Sequence, residues 1–473
     1  MSATVPYLIR AIQLNIITLE IKFVLCNVSI VEFFKDSGGL MDFKTVNSKK
    51  GLSKSAATMC EVRFDHHQVW RLHWNDFNVY ESLNAAFENV KQNYENLVDI
   101  WTVNQELGYS DVRVSPSAMS FVTSILKPLQ IVPIVQVENI QTLIDVQEDS
   151  SSLSNEWDNA GGSNFHKSYH RLSEINEFLD EKVKNFKGRA QKVLVGYSYE
   201  KREINGIRIS GTTKNRKREI IFHGAIHSRE WIGAASVLYI ADQLLSLYGK
   251  DDLVTKLLNI YDWIIIPVLN VDGYEYTHTN NRMWRKTRQP NGGLFGCIGT
   301  DPNRNWDYEW SKPGASSSPC SEAYYGKAPF SAIEPKLMSE FIYNRREDVE
   351  IYIDVHAFSQ LWMYPYGARC DKKVPEEKKI LKAAQDGASA LKKIHGTNFK
   401  VGGICKTIYQ ASGNSVDWVY ARANVTYSYA IELRDTGRYG FLLPPDQIIP
   451  SGEELFSGLI GLAETVATQE KRW

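Results

Sequence analysis

The chain has 473 residues, of which 43% are apolar, 12% aromatic and 23% charged; at roughly 150 residues per domain this allows two or three cored domains and excludes a disordered, fibrous or low-complexity protein. Its 54 Lys and Arg against 55 Asp and Glu leave a net charge of −1, which excludes the basic footprint of a general nucleic-acid binder. Six cysteines are too few for a disulfide scaffold but allow a small number of bridges.

Ala11 to Leu19 and Phe23 to Val31 are charge-free stretches separated by Glu20 and Lys22, and each falls short of the roughly 20 residues that span a bilayer. No membrane span is expected. Arg10 and the stretch after it imitate the start of a signal peptide, without a clear small-residue cleavage motif. Residues 1–60 read as an N-terminal extension, an atypical signal region followed by a Lys-, Ser- and Gly-rich tether.

From Glu61 the pattern sharpens. Val69 to His73 alternates as a strand, Glu81 to Asn93 is helical, and Val98 to Thr102 is a second strand. A second cycle follows: Asp111 to Val114 extended, a helix opened by Pro116 and running through Leu126, and the β-branched strand Ile131 to Val137. Two strand-helix-strand units predict a small α+β domain over 61–147 with its helices on one sheet face. The acidic, Ser- and Gly-rich segment 148–164 reads as a linker. In 165–473, β-branched runs (Glu219 to Phe222, Trp263 to Val268, Ile351 to Val355, Tyr427 to Leu433) alternate with amphipathic stretches such as Glu230 to Leu247 and Glu376 to Ile394. That alternation predicts an α/β domain whose sheet is covered by helices on both faces.

Ligand sites in such sheets lie beyond the carboxyl ends of strands. His223 to Glu230, Asn270 to Gly273, Asp354 to His356 and Glu432 to Asp435 are the polar stretches at those positions. His227 and Glu230, three apart at a strand-to-helix turn, are able to grip one metal ion, and a distant His356 would complete the two-His, one-Glu set of a catalytic zinc. By itself the pair more often is a helix-start carboxylate beside a satisfied histidine; its place at a strand end, with the other candidates, is what points to a metal. Glu432 and Arg285 are the residue types a zinc hydrolase uses as base and oxyanion support. Asn303 with Arg304 suits a substrate carboxylate, although single arginines more often serve as surface or ion-pair residues.

The segments HSREW at 227–231, NRMWRKTR at 281–288, DPNRNWDYEW at 301–310, GASSSPCSEAYYG at 314–326, TIYQASGNSVDW at 407–418 and ELRDTGRYGFLLP at 432–444 closely resemble the zinc metallocarboxypeptidases of the pancreatic A/B type. The resemblance covers residues 165–473 as the catalytic domain and, more weakly, 61–147 as the inhibitory prodomain. It implies a mixed, mostly parallel twisted sheet with helices on both faces, the carboxypeptidase fold, preceded by an open sandwich of two helices on an antiparallel sheet. It further implies one zinc ion on His227, Glu230 and His356, Glu432 as the base toward the metal-bound water, and Arg285 at the scissile carbonyl. Asn303 and Arg304 fall on the positions that bind the terminal carboxylate, Tyr409 on its mobile cap and Arg229 on a further subsite.

The side-chain pocket matches Met363, Ile404, Ala411, Val416 and Ala430. Val416 stands where basic-selective members carry an acid, so an A-type preference for aromatic or large aliphatic C-terminal residues is expected. Ala357-Phe358 replaces a common Ser-Tyr, and Asn414 a common glycine at the pocket entrance. Cys297–Cys320 and Cys370–Cys405 match family disulfides; with sequons at Asn27 and Asn424 they imply a secreted protein. The resemblance also implies a monomeric zymogen that acts on peptide or protein C-termini and is activated by a protease. Two other readings remain open: the same chemistry with basic selectivity, and a non-catalytic peptide-binding relative.

Overall fold

The computed structural model describes Ile30–Val31, Thr45–Val46 and residues 61–93, 97–152, 164–213, 217–292 and 296–473. The signal-like stretch, Cys26, Cys60 and the Asn27 sequon lie outside the described residues. The chain divides after Glu61. Of the first unit, a two-stranded antiparallel ribbon is described, β1 (Ile30–Val31) with β2 (Thr45–Val46).

The second unit opens with a four-stranded antiparallel sheet in the order β4-β5-β3-β6, built from β3 (Gln68–His73), β4 (Val98–Asn104), β5 (Tyr109–Val114) and β6 (Ile134–Val137). Two helices, α1 (Phe77–Asn93) and α2 (Met119–Leu126), cover one face, where Trp70, Leu72, Leu83, Phe87, Val112, Val122 and Leu126 form a common core. Val69 and Trp101 belong to the core shared with the following domain, so the sheet is buried on its second face as well. Pro116 occupies a single 3-10 turn that leads into α2, a place where its missing N–H costs nothing. The strand expected from Ile131 begins only at Ile134, after Pro133, which has no donor for the ladder. A third helix, α3 (Ile140–Ser152), was not expected. Its buried Ile140, Ile144 and Gln147 recur at helical spacing.

The larger sheet has eight strands in the order β13-β12-β14-β11-β9-β10-β8-β7. β7 (Ala190–Tyr197) and β8 (Glu203–Ile209) form an antiparallel edge that continues into β10 (Tyr261–Ile266). β10, β9 (Arg218–His223), β11 (Val349–His356) and β14 (Tyr427–Glu432) are mutually parallel neighbours. β12 (Leu361–Tyr364) pairs antiparallel to β14 and parallel to β13 (Lys400–Gly403). Every residue of β10 and β11 is buried, as expected of strands covered on both sides and as their predominantly apolar, β-branched sequences suggested. The covering helices include α4 (Leu172–Asn185), α5 (Trp231–Leu247), α6 (Asp252–Ile260), α7 (Val271–Thr279), α8 (Ile333–Tyr343), α9 (Glu377–His395), the short α10 (Ile404–Thr407), α11 (Ser415–Ala421) and α12 (Ile448–Gln469). α5 and α9 begin within a residue of the positions their periodicity predicted.

Candidate active site

The parallel register of the central strands gathers the polar residues at one end of the sheet. His223 of β9 pairs with Asp354 of β11, and His356 of β11 with Glu432 of β14. Past β9 the chain turns at Gly224, where a Cβ would meet the backbone of Gly233 at 2.8 Å; only glycine lets α5 approach this closely. The turn delivers His227 and Glu230 beside the strand ends, Glu230 immediately before α5.

His227, Glu230 and His356 are buried and offer ligand atoms within 4.8 Å of one another. His227 Nδ1 lies 2.8 Å from Glu230 Oε1, and His356 Nδ1 lies 3.0 Å from Glu230 Oε2. The opposite nitrogens are held by carboxylates: His227 Nε2 is 3.2 Å from Asp301 Oδ1, and His356 Nε2 is 3.0 Å from Asp354 Oδ2. Two imidazoles aimed by buried carboxylates, with one further carboxylate between them, form a donor set that fits zinc. Burial opposes ionisation of Glu230, but His227 and His356 together outweigh it and hold its pKa at about 2.

Glu432 is half-buried, and its Oε2 is buried without a hydrogen-bond partner. Burial pushes its pKa up to about 8, with His356 opposing and Glu230 adding to the shift. Arg285 donates to Asp301 Oδ2 at 2.9 Å and stands 3.9 Å from Glu230. Burial works against its charge, yet Asp301 keeps it firmly protonated.

Asn303 is fixed by Ser415 N, which donates to its Oδ1 at 2.9 Å, and by its own Nδ2, which donates to Asp354 at 3.0 Å. Arg304 donates to Gly314 O and Asn303 O at 2.8 and 2.7 Å, and its guanidinium carbon lies 5.9 Å from the ring centre of half-buried Tyr409. Met363 and Ala430 are cross-strand partners. They are buried, as are Ile404, Ala411 and Val416. Asp417, next to Val416, accepts from Gly367 N and Ala368 N at 2.9 and 2.8 Å, so its carboxylate is committed to backbone. Asn414 caps α11: its Oδ1 accepts from Asp417 N at 2.9 Å and its Nδ2 donates to Ala411 O at 2.8 Å. Both matched disulfides, Cys297–Cys320 and Cys370–Cys405, are formed.

Arg229 is engaged by the first sheet. Its Nη1 donates to Asp99 Oδ2 of β4 at 2.6 Å, and its guanidinium carbon sits 4.2 Å from the ring centre of Phe441. Trp101, two residues along β4, meets Phe358 and Phe441 with ring centres 6.4 and 5.1 Å apart. Sequence reasoning gave no role to Asp99, Asp301 or Asp354. Asp301 and Asp354 each stand close in sequence to a residue already assigned, whereas Asp99 carries no local signal.

Comparison with known proteins agrees with this arrangement. The family described as zinc carboxypeptidase matches residues 175–458, and the family described as carboxypeptidase activation peptide matches residues 82–147. Carboxypeptidase A2 of Rattus norvegicus is 44% identical over 356 residues, covering 75% of this chain and 84% of its own. Carboxypeptidase B of Astacus astacus is 42% identical over 300 residues, 63% of this chain and 97% of its own. The crystal structure of thrombin activatable fibrinolysis inhibitor superposes with a TM-score of 0.76 at 30% identity, over 86% of this chain and all of the other. Among the described residues no helix is long and apolar enough to cross a membrane. A buried His-Glu-His set at the carboxyl ends of a mixed sheet, an N-terminal sheet docked beside it, and matches to both parts place the chain in the zinc carboxypeptidase family, as a zinc-dependent metallocarboxypeptidase made as a zymogen.

Proposed function

We propose that the enzyme removes aromatic or large aliphatic residues from the C-termini of peptides, with His227, Glu230 and His356 as the zinc ligands, Glu432 as general base and Arg285 as oxyanion support. Bound zinc supplies a Lewis acid that polarises the scissile carbonyl and makes water more acidic. Glu432 Oε2, buried and without a partner, accepts the proton of the attacking water and returns it to the leaving amine nitrogen. A carboxylate whose pKa is raised by burial is a stronger base than a free one. Arg285, held by Asp301, directs a fixed positive charge toward the oxygen on which negative charge develops. Asn303 and Arg304 hold the terminal carboxylate, Tyr409 closes over it, and Arg229 contacts the peptide further upstream.

The observation that carries the selectivity is the pocket itself. Met363, Ile404, Ala411, Val416 and Ala430 bring no charge, and the adjoining Asp417 is turned onto backbone N–H groups. An apolar side chain is desolvated there without an ionic penalty, while Lys or Arg would be buried without a counter-charge. The crayfish relative's name, carboxypeptidase B, favours a second reading in which the same chemistry acts on basic C-terminal residues. Residues 61–147 act as the inhibitory prodomain, 148–164 as the activation linker and 165–473 as the enzyme. Two disulfides within the catalytic domain support secretion.

The test is release of phenylalanine from a blocked dipeptide by protein cut within residues 148–164. A chelator is expected to abolish the activity, and Glu432→Gln to reduce kcat by 10²- to 10⁴-fold, roughly the worth of a general base. Faster release from Arg-ending peptides would establish the second reading. No release from Phe-, Leu- or Arg-ending substrates would leave a peptide-binding protein.

A further inference from the structure

Two buried carboxylates each join a metal-ligand histidine to a substrate-facing side chain. Asp301 receives His227 Nε2 on one oxygen and Arg285 Nη2 on the other, at 3.2 and 2.9 Å. Asp354 concentrates its contacts on Oδ2, which accepts from Ser415 Oγ at 2.6 Å and from Asn303 Nδ2 at 3.0 Å and has His356 Nε2 3.0 Å away; that nitrogen also lies 3.1 Å from Asn303 Nδ2. Asp354 is fully buried. On its other side stands His223, whose Nδ1 is 3.5 Å from Oδ1 and whose Nε2 is 2.7 Å from the hydroxyl of Tyr352.

We propose that Asp354 is a positioning residue that couples His356 to Asn303, so that metal affinity and the placement of the substrate's terminal carboxylate depend on one buried oxygen. The proposal rests on the ligand set and the carboxylate-binding role assigned above. A carboxylate 3.0 Å from His356 Nε2 favours the tautomer protonated there, whose Nδ1 lone pair faces the other ligands, and its negative charge makes that nitrogen a stronger donor. The amide of Asn303 has two N–H donors and one acceptor oxygen. One donor is on Asp354 and the oxygen takes Ser415 N, so the second donor has a fixed direction. Ser415 precedes Val416 at the start of α11, which ties the side-chain pocket to the same oxygen. Losing the carboxylate therefore frees three groups at once: a ligand ring, the amide for the substrate carboxylate, and the first turn of the pocket helix.

Zinc dissociation constants measured on the full chain by chelator competition provide the test. Asp354→Asn is expected to weaken zinc binding by about 10- to 100-fold, the range for lost outer partners of metal-binding histidines, and to alter the visible spectrum of the cobalt(II)-loaded protein. Asn303→Ala removes a group that is no metal ligand. It is expected to weaken zinc binding several-fold in the wild-type background and to add little in the Asp354→Asn background, because both changes act through one oxygen. Unchanged zinc affinity in Asp354→Asn, or additive effects of the two substitutions, would overturn the proposal. Should Asp354→Asn lack a cooperative thermal transition, Asn303→Ala alone decides, and unaltered zinc affinity in that variant overturns the coupling. A wild-type chain that binds no zinc would overturn the ligand assignment and the coupling with it.

Discussion

Val416 is buried in the pocket proposed for the terminal side chain, and its replacement by aspartate would place a carboxylate where the other proposed lining groups carry no charge. The new group is costly to bury alone and recovers that cost only when a cationic side chain pairs with it. Val416→Asp is expected to lower kcat/KM for Phe-ending peptides by on the order of 100-fold and to reverse the ratio against Arg-ending ones. An equal loss on both substrates would show that Val416 does not line the pocket. Glu334 is a residue of a different kind. It lies in the first turn of α8 with 0% exposure, and burial raises its pKa from 4.5 to about 8, relieved only by its own backbone and opposed by no cation. The folded protein retains a proton that the unfolded chain releases above about pH 4.5. Stability from this residue is therefore full below pH 4.5, falls as pH rises toward 8, and levels off beyond. Glu334→Gln should leave stability nearly unchanged at pH 5 and raise it at pH 8 by up to a few kcal/mol, read as the difference between thermal unfolding curves. The same shift at both pH values would contradict a protonated Glu334.

At the scale of elements, β4 connects the two halves of the zymogen. Asp99 meets Arg229, Trp101 packs on Phe358 and Phe441, and Thr102 Oγ1 lies 3.2 Å from Ser359 Oγ. A single strand of the first domain thus covers Arg229, the residue proposed to contact the peptide further upstream. Phe358, without the hydroxyl of a tyrosine, presents a wholly apolar ring to Trp101. Removing one member of a buried ion pair leaves its partner uncompensated, at a cost of about 3–5 kcal/mol. Asp99→Ala should accordingly loosen the docked sheet and give the uncleaved chain measurable peptidase activity that wild type lacks. A variant as silent as wild type would show that β4 does not hold the enzyme latent. The alternation of 98–102 made this strand legible in sequence, but its partner was not, because Asp99 and Arg229 are 130 positions apart. α3 was missed for a local reason: Ile140, Leu143 and Ile144 carried helical spacing, yet the acidic, Ser-rich residues after Gln147 supplied no apolar face to extend it.

For the whole molecule, the catalytic sheet was readable as a class and the strand order was not. Apolar runs ending in His, Asp or Glu marked β9, β11 and β14, and their adjacency in the sheet turned separate motifs into one site. The edge strand β13 and its neighbour β12 are four residues long, too short for periodicity to reveal. Activation depends on both domains and on the sequence between them. No Lys or Arg lies between Lys127 and Lys167. Lys127 is followed by Pro128 in a 3-10 turn, and a proline after the cleavage residue blocks trypsin-like enzymes, because its ring locks φ and the backbone N–H is missing. Lys167 is exposed, but Phe165 and His166 before it and Ser168 after it are buried. Phe165 stacks on His170 and Phe178 with ring centres 3.9 and 4.2 Å apart. Threading the Lys167 bond into a protease would pull these rings from the core, and cutting there would remove a buried Phe worth about 3–5 kcal/mol from the enzyme. Trypsin under native conditions should therefore yield little active enzyme, whereas a chymotrypsin-like protease, offered Leu153 and Trp157 in the linker, should release the prodomain and activity together. Mass spectrometry of the products, followed in parallel with hydrolysis of a Phe-ending peptide, checks both halves of this expectation. Full activity from a trypsin product beginning at Ser168 would show that Phe165 and His166 are dispensable and that a basic-specific protease is able to activate the chain.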